Sequence, residues 1–164
     1  MLSFFKKNKN YKIQAVVDGN SIDIERVNDA TFSQKVMGDG IAIIPSNDIV
    51  VAPCDGKITV LPESKHAFGM ISDDGVELLV HIGIDTVNLK GNGFENKVSQ
   101  GDIVKQGDPI IVFESEKLVS KGVDCTTIVI VLNHSEFSEI KCMTEEFIVL
   151  EKILLLKLAN NRKD

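Results

Sequence analysis

No uninterrupted apolar run in this chain approaches the ~20 residues that cross a bilayer as a helix. The first ten residues also lack the apolar stretch and small-residue cleavage site of a secretory signal. A cytoplasmic protein is therefore expected. Cysteine is scarce: Cys54, Cys125 and Cys142 have neither a C-x-x-C nor a zinc-ribbon spacing, so reduced, mostly buried thiols are expected instead of a disulfide framework. Basic residues are in deficit, 18 against 24 acids, for a formal charge of −6. Four of those basic residues (Lys6, Lys7, Lys9 and Lys12) crowd the N-terminus, where no acid stands, so the body is more acidic still. Such a body is a poor nucleic-acid binder, because phosphate contacts need clustered Lys and Arg. It suits a basic protein partner.

What the sequence does have is a series of short apolar runs stopped by turn residues. Ile41–Ile44 ends at Pro45, Ile49–Ala52 at Pro53 and Ile58–Leu61 at Pro62, while Asp55-Gly56 and Asp73-Asp74-Gly75 supply turns. This spacing predicts an all-β fold, a compact antiparallel sandwich or barrel. Short helices are predicted over Asp29–Met37, Ser115–Lys121 and Ser135–Lys141, the last with Ser135 as N-cap. Phe147–Leu158 reads as a pair of core strands, with a helix as the alternative. Residues 1–12 read as a mobile tail and 13–164 as a single domain. With Leu2, Phe4 and Phe5 beside its lysines, the tail is suited to weak contact with an anionic membrane.

Histidine occurs three times. His81 lies in Val80-His81-Ile82-Gly83-Ile84-Asp85. In a strand, Val80, Ile82 and Ile84 would face the core, and His81, Gly83 and Asp85 would share the other face. A glycine within a strand marks close approach of a ligand or a backbone. Ala67–Ile71 and Val76–His81 flank the Asp73-Asp74-Gly75 turn, which predicts a hairpin bringing His66 and His81 to one end of a sheet. Two imidazoles at one site fit proton relay, metal binding or phosphoryl transfer. His134 reads as a surface residue.

Three chemistries compete for these residues. A zinc hydrolase would use H-x-G-x-D but also needs an H-x-H pair, which the chain lacks. A lipoyl-type carrier would use Lys117 after the G-D-x-V-x-x-G-D segment, but the Ala52–Gly56 segment that should follow the lysine precedes it. The third is a phosphocarrier. Val36–Ile43, Val51–Ile58, Lys65-His66-Ala67, the block H-I-G-I-D-T-V-x-L-x-G-x-G-F from His81 to Phe94, and Gly101-Asp102 through Gly107-Asp108 occur in family order. From about Val27 to Phe137 the chain resembles the glucose-family enzyme IIA of the bacterial sugar phosphotransferase system.

The resemblance implies a β-sandwich in which His81 is phosphorylated and His66 beside it holds the transferring group. Ser64 stands where the family usually has threonine, and keeps its hydroxyl. Gly83 belongs to the same block. Asp39 and Asp85 are the expected acidic contacts at the rim, with Phe68 in an apolar collar around the histidines. The implied donor is phospho-HPr and the implied acceptor is the cysteine of a IIB domain of a sugar permease. Neither metal nor cofactor is expected. A mainly regulatory IIA-like protein is the alternative within the family.

Overall fold

The computed structural model describes residues 10–142, 147–148 and 154–160. Its strands are β1 (Asn10–Gln14), β2 (Gly19–Asp23), β3 (Asp39–Pro45), β4 (Ile49–Val51), β5 (Gly56–Val60), β6 (Ala67–Ser72), β7 (Glu77–Ile82), β8 (Phe94–Asn96), β9 (Ile103–Val104), β10 (Pro109–Phe113), β11 (Thr127–Val131), β12 (Phe137–Cys142), β13 (Phe147–Ile148) and β14 (Leu154–Asn160). Two short α-helices, α1 (Ala30–Ser33) and α2 (Ser115–Ser120), interrupt them. The strands form one eight-stranded sheet, ordered β13-β2-β3-β11-β7-β6-β5-β9, and two three-stranded sheets, β4-β10-β8 and β1-β14-β12. All strand pairings are antiparallel. The all-β sandwich read from the turn spacing is the fold observed.

The large sheet is covered on both faces. One face sends Ile41, Ile43, Ile58, Phe68, Met70, Leu78, Val80, Ile82, Val129 and Val131 into the main core, against Val50, Phe94, Ile111 and Phe113 of the β4-β10-β8 sheet and Tyr11 and Ile13 of β1. On the other face Ala42, Ile128 and Ile130 form a smaller core with Ile24, Val27 and Phe32. The segment from Ile24 to Phe32 is thus a lid over β3 and β11. Period-two alternation lets one strand feed both cores, which is why β11 is buried throughout and apolar at every position after Thr127.

Several sequence expectations are corrected. The helix over Ser135–Lys141 is instead a three-residue 3-10 turn, His134–Glu136, followed by β12. A helix that short is marginal by itself, whereas β14 supplies a backbone ladder, continuous from Glu139 to Cys142, and Ile140 and Cys142 pack on the main core. The helix expected over Asp29–Met37 is confined to Ala30–Ser33: Asp29 caps it, and Lys35 turns left-handed at φ 55°. The tail ends sooner than expected. Asn10–Lys12 belong to β1, and the buried Tyr11 ring meets Phe137 edge-on at 5.5 Å. Residues 1–9, with the proposed membrane-facing Leu2, Phe4 and Phe5, lie outside the described residues. Strands do occur within Phe147–Leu158, but β13 pairs with β2 and β14 with β1 and β12, in different sheets.

Candidate active site

The β6–β7 hairpin forms as predicted, with Ala67 opposite His81. His66 immediately precedes β6, and its carbonyl accepts a hydrogen bond from the Ile82 N–H at 2.7 Å. The two imidazoles therefore meet at the end of the hairpin far from its Asp73-Asp74-Gly75 turn. Their ring centroids are 4.8 Å apart and their planes lie at 80°. Lys65, left-handed at φ 55°, turns the chain so that the Ser64 hydroxyl reaches back to His66 Nδ1 at 2.7 Å. His81 Nδ1 lies 2.9 Å from the Gly83 carbonyl oxygen. A carbonyl can only accept, so Nδ1 carries the proton and Nε2 keeps its lone pair.

Burial favours the neutral ring at both positions. The His66 pKa is lowered by desolvation. His81 is pushed down to about 4, first by burial and then by the neighbouring His66; the Gly83 hydrogen bond and the Asp29 and Asp85 carboxylates act in the opposite direction. At neutral pH His81 is therefore an uncharged imidazole with a free Nε2, which is a nucleophile.

Alternation along β7 holds up to Ile82 and then stops. Val80 and Ile82 enter the main core, and His81 faces the lid side, where the Phe32 ring packs on it at 4.9 Å and 55°. Gly83 lies beyond the strand at φ 79°, which breaks the period. Ile84 consequently joins the smaller core with Leu79 instead of the main core. Asp85, left-handed at φ 56°, leads into a 3-10 turn over Thr86–Leu89 and is exposed.

Phe68 is not at the rim. Its side chain is fully buried in the main core, because it pairs with Val80 and faces the same way. The aromatic residue beside the histidines is Phe32. Asp39 is half-buried at the start of β3, accepts from the Gly40 N–H at 2.8 Å and pairs with Lys35 at 3.4 Å. Asp29, which caps α1, acts on His81 together with Asp85. In the sequence Asp29 stands at a helix start, with nothing local that connects it to the site. Its N-cap position was the available signal; its proximity to His81 depends on the lid folding back over β11.

Other candidates fall elsewhere. Lys117 lies on α2, bound to Glu114 at 3.0 Å, and not at the tip of a hairpin. His134 is exposed in the turn before β12. Among the described residues no three His, Cys, Asp or Glu side chains converge into a group suited to a metal ion.

A sequence profile of the phosphoenolpyruvate-dependent sugar phosphotransferase system EIIA 1 family matches residues 11–137. The chain belongs to this family. It is 41% identical over 152 residues to the glucose-specific EIIA component of the phosphotransferase system from Haemophilus influenzae, covering 92% of each chain. It is 44% identical over 143 residues to the protein of the same description from Buchnera aphidicola, covering 85% of this chain and 89% of that one. Among solved structures it is similar to the glucose permease IIA from Mycoplasma capricolum, with a TM-score of 0.79, 35% identity, and 95% and 99% of the two chains covered. No helix among the described residues of this EIIA family member is long and apolar enough to cross a membrane.

Proposed function

We propose that this EIIA protein is a cytoplasmic phosphocarrier that takes a phosphoryl group from phospho-HPr onto Nε2 of His81 and passes it to the cysteine of a sugar-permease IIB domain. The observation that carries this reading is the bond from His81 Nδ1–H to the Gly83 carbonyl. It commits the ring to the tautomer whose Nε2 can attack phosphorus.

In the first transfer the Nε2 lone pair forms a bond to phosphorus. The bond between phosphorus and the donor's imidazole nitrogen breaks, and its electron pair returns to the donor ring. In the second, a cysteine thiolate attacks the same phosphorus and the electron pair of the phosphorus–nitrogen bond returns to Nε2. Nδ1 keeps its proton throughout and donates it in the hydrogen bond to the Gly83 carbonyl. The transition state is loose and in line, so the protein's work is positioning and charge stabilisation. With the Ser64 hydroxyl donating to its Nδ1, His66 presents Nε2–H to a phosphoryl oxygen. Asp29 and Asp85, the carboxylates that act on His81, give the surroundings an acidic character that suits a basic donor.

The test is incubation with phosphoenolpyruvate, enzyme I and HPr, followed by intact-protein mass measurement. One acid-labile phosphoryl group per chain is expected. No gain in mass, or a gain that survives acid, contradicts the reading.

A further inference from the structure

His81 owes its tautomer to one carbonyl, and that carbonyl belongs to a peptide unit held from its other side. The peptide joining Gly83 to Ile84 accepts from His81 Nδ1 through its C=O at 2.9 Å and donates through its N–H to the Asp124 carbonyl, also at 2.9 Å. The preceding peptide is held in the same manner. Its Gly83 N–H donates to the Thr126 carbonyl at 2.9 Å, and its Ile82 C=O accepts from the buried Thr86 hydroxyl at 2.6 Å. Both peptides are therefore pinned at each end, outside any strand ladder, where φ 79° at Gly83 would otherwise leave the backbone free to rotate.

The two carbonyls that do the pinning are themselves set by one side chain. Asp124 Oδ1 accepts from the Thr126 N–H at 2.9 Å and from the Thr126 hydroxyl at 2.6 Å, which closes a local turn over 124–126 just before β11. We infer that Asp124 is a positioning residue for phosphoryl transfer: its carboxylate shapes the 124–126 turn that aims the Gly83 carbonyl at His81 Nδ1.

The hydrogen bonds run in one direction, from imidazole N–H to Gly83 C=O and from Ile84 N–H to Asp124 C=O. Each donation by a peptide N–H makes the C=O of the same peptide a better acceptor. Loss of the turn weakens the bond to His81, allows the proton to move to Nε2, and removes the nucleophile from part of the population. Asp124 is exposed and touches neither imidazole by any hydrogen bond. Its effect passes through backbone alone.

This inference rests on His81 being the phosphoryl acceptor, and its test separates the two. The histidine ring nitrogens are read by long-range 1H–15N correlation in unphosphorylated wild type, D124A, D124N and D124S. Single-turnover phosphorylation by phospho-HPr is then measured on the same proteins. In wild type His81 should be almost wholly Nδ1–H. D124A should show a mixed tautomer and a transfer rate constant about tenfold lower, the low end of what losing an outer partner costs a metal-bound histidine, with little change in the half-saturating HPr concentration. D124N keeps an acceptor oxygen and should restore both readouts to within about twofold. D124S, a weaker acceptor, should fall between and decides the matter if D124A does not fold. Unchanged ring nitrogens in D124A and D124S overturn the inference, as does D124N behaving like D124A. If wild type shows the Nδ1–H tautomer but takes up no phosphoryl group, the functional reading fails while the tautomer series still judges Asp124.

Discussion

His66 and His81 meet edge to face at 4.8 Å, but their Nδ1 atoms are engaged by different kinds of partner: a serine hydroxyl for His66 and a backbone carbonyl for His81. A carbonyl only accepts, so His81 is locked in one tautomer. A hydroxyl donates or accepts by rotating, so His66 can change protonation state without losing its bond.

That asymmetry predicts how the two histidines divide the work. H66Q keeps an N–H donor but cannot change protonation state. It should accept the phosphoryl group from HPr but hand it on poorly to a IIB domain. H66A loses the donor itself and should be slowed in both transfers by about 10²–10³-fold, the usual cost of a lost transition-state donor. Single-turnover measurement of each step distinguishes these outcomes.

The buried, neutral His81 should also leave a mark on stability. Its pKa is about 4 in the folded protein, against 6.5 without the fold. Between those values the unfolded chain holds the proton and the folded chain does not, so stability rises as pH rises through this window and is level above it. The span corresponds to about 3 kcal/mol at about 1.4 kcal/mol per pH unit. His66, lowered by burial, acts in the same direction. Urea unfolding of wild type and H81Q at several pH values should show the wild type losing more stability on acidification, with the two curves parallel above about pH 7.

Gly83 is predicted to tolerate no side chain. A Cβ there would sit 2.5 Å from Thr86 Cγ2 and 2.9 Å from the Asp124 carbonyl oxygen, at φ 79°. G83A should lose about 2–3 kcal/mol of stability through backbone strain and overlap. Thermal unfolding measures this loss. Phosphorylation should fall as well, because the carbonyl that holds His81 must shift.

The hairpin and the meeting of its two histidines were legible because both depend on local signals: apolar alternation, a D-D-G turn and the position of each histidine relative to that turn. What failed depended on which layer covers which face. Phe68 lies in a strand buried on both sides, so alternation alone could not assign its direction. Asp29 and Phe32 reach His81 only because the Ile24–Phe32 segment folds back over β11, a contact between distant parts of the sequence. Ser135–Lys141 has helix-compatible residues, but β14 offers them a ladder that a local reading does not see.

The acidic residues should divide by their existing partners. Asp85 is exposed and Asp29 lies near His81, whereas Asp39 is already paired with Lys35, which also binds Glu25 at 3.3 Å. The double substitution D29N/D85N should slow phosphorylation by HPr and flatten its dependence on ionic strength, since charges at the edge of an interface act mainly on association rate. D39N should change the salt dependence less. Stopped-flow or quenched-flow rates over a range of salt test both.

Nε2 of His81 should carry the phosphoryl group while Nδ1 keeps its proton and donates it to the Gly83 carbonyl. Long-range 1H–15N correlation with 31P detection, on protein phosphorylated by phosphoenolpyruvate, enzyme I and HPr, reads both atoms at once. Phosphorus is expected on Nε2 of His81, with a protonated Nδ1 and no labelling of H81A. Phosphorus on His66, on Nδ1 of His81, or on H81A would contradict it.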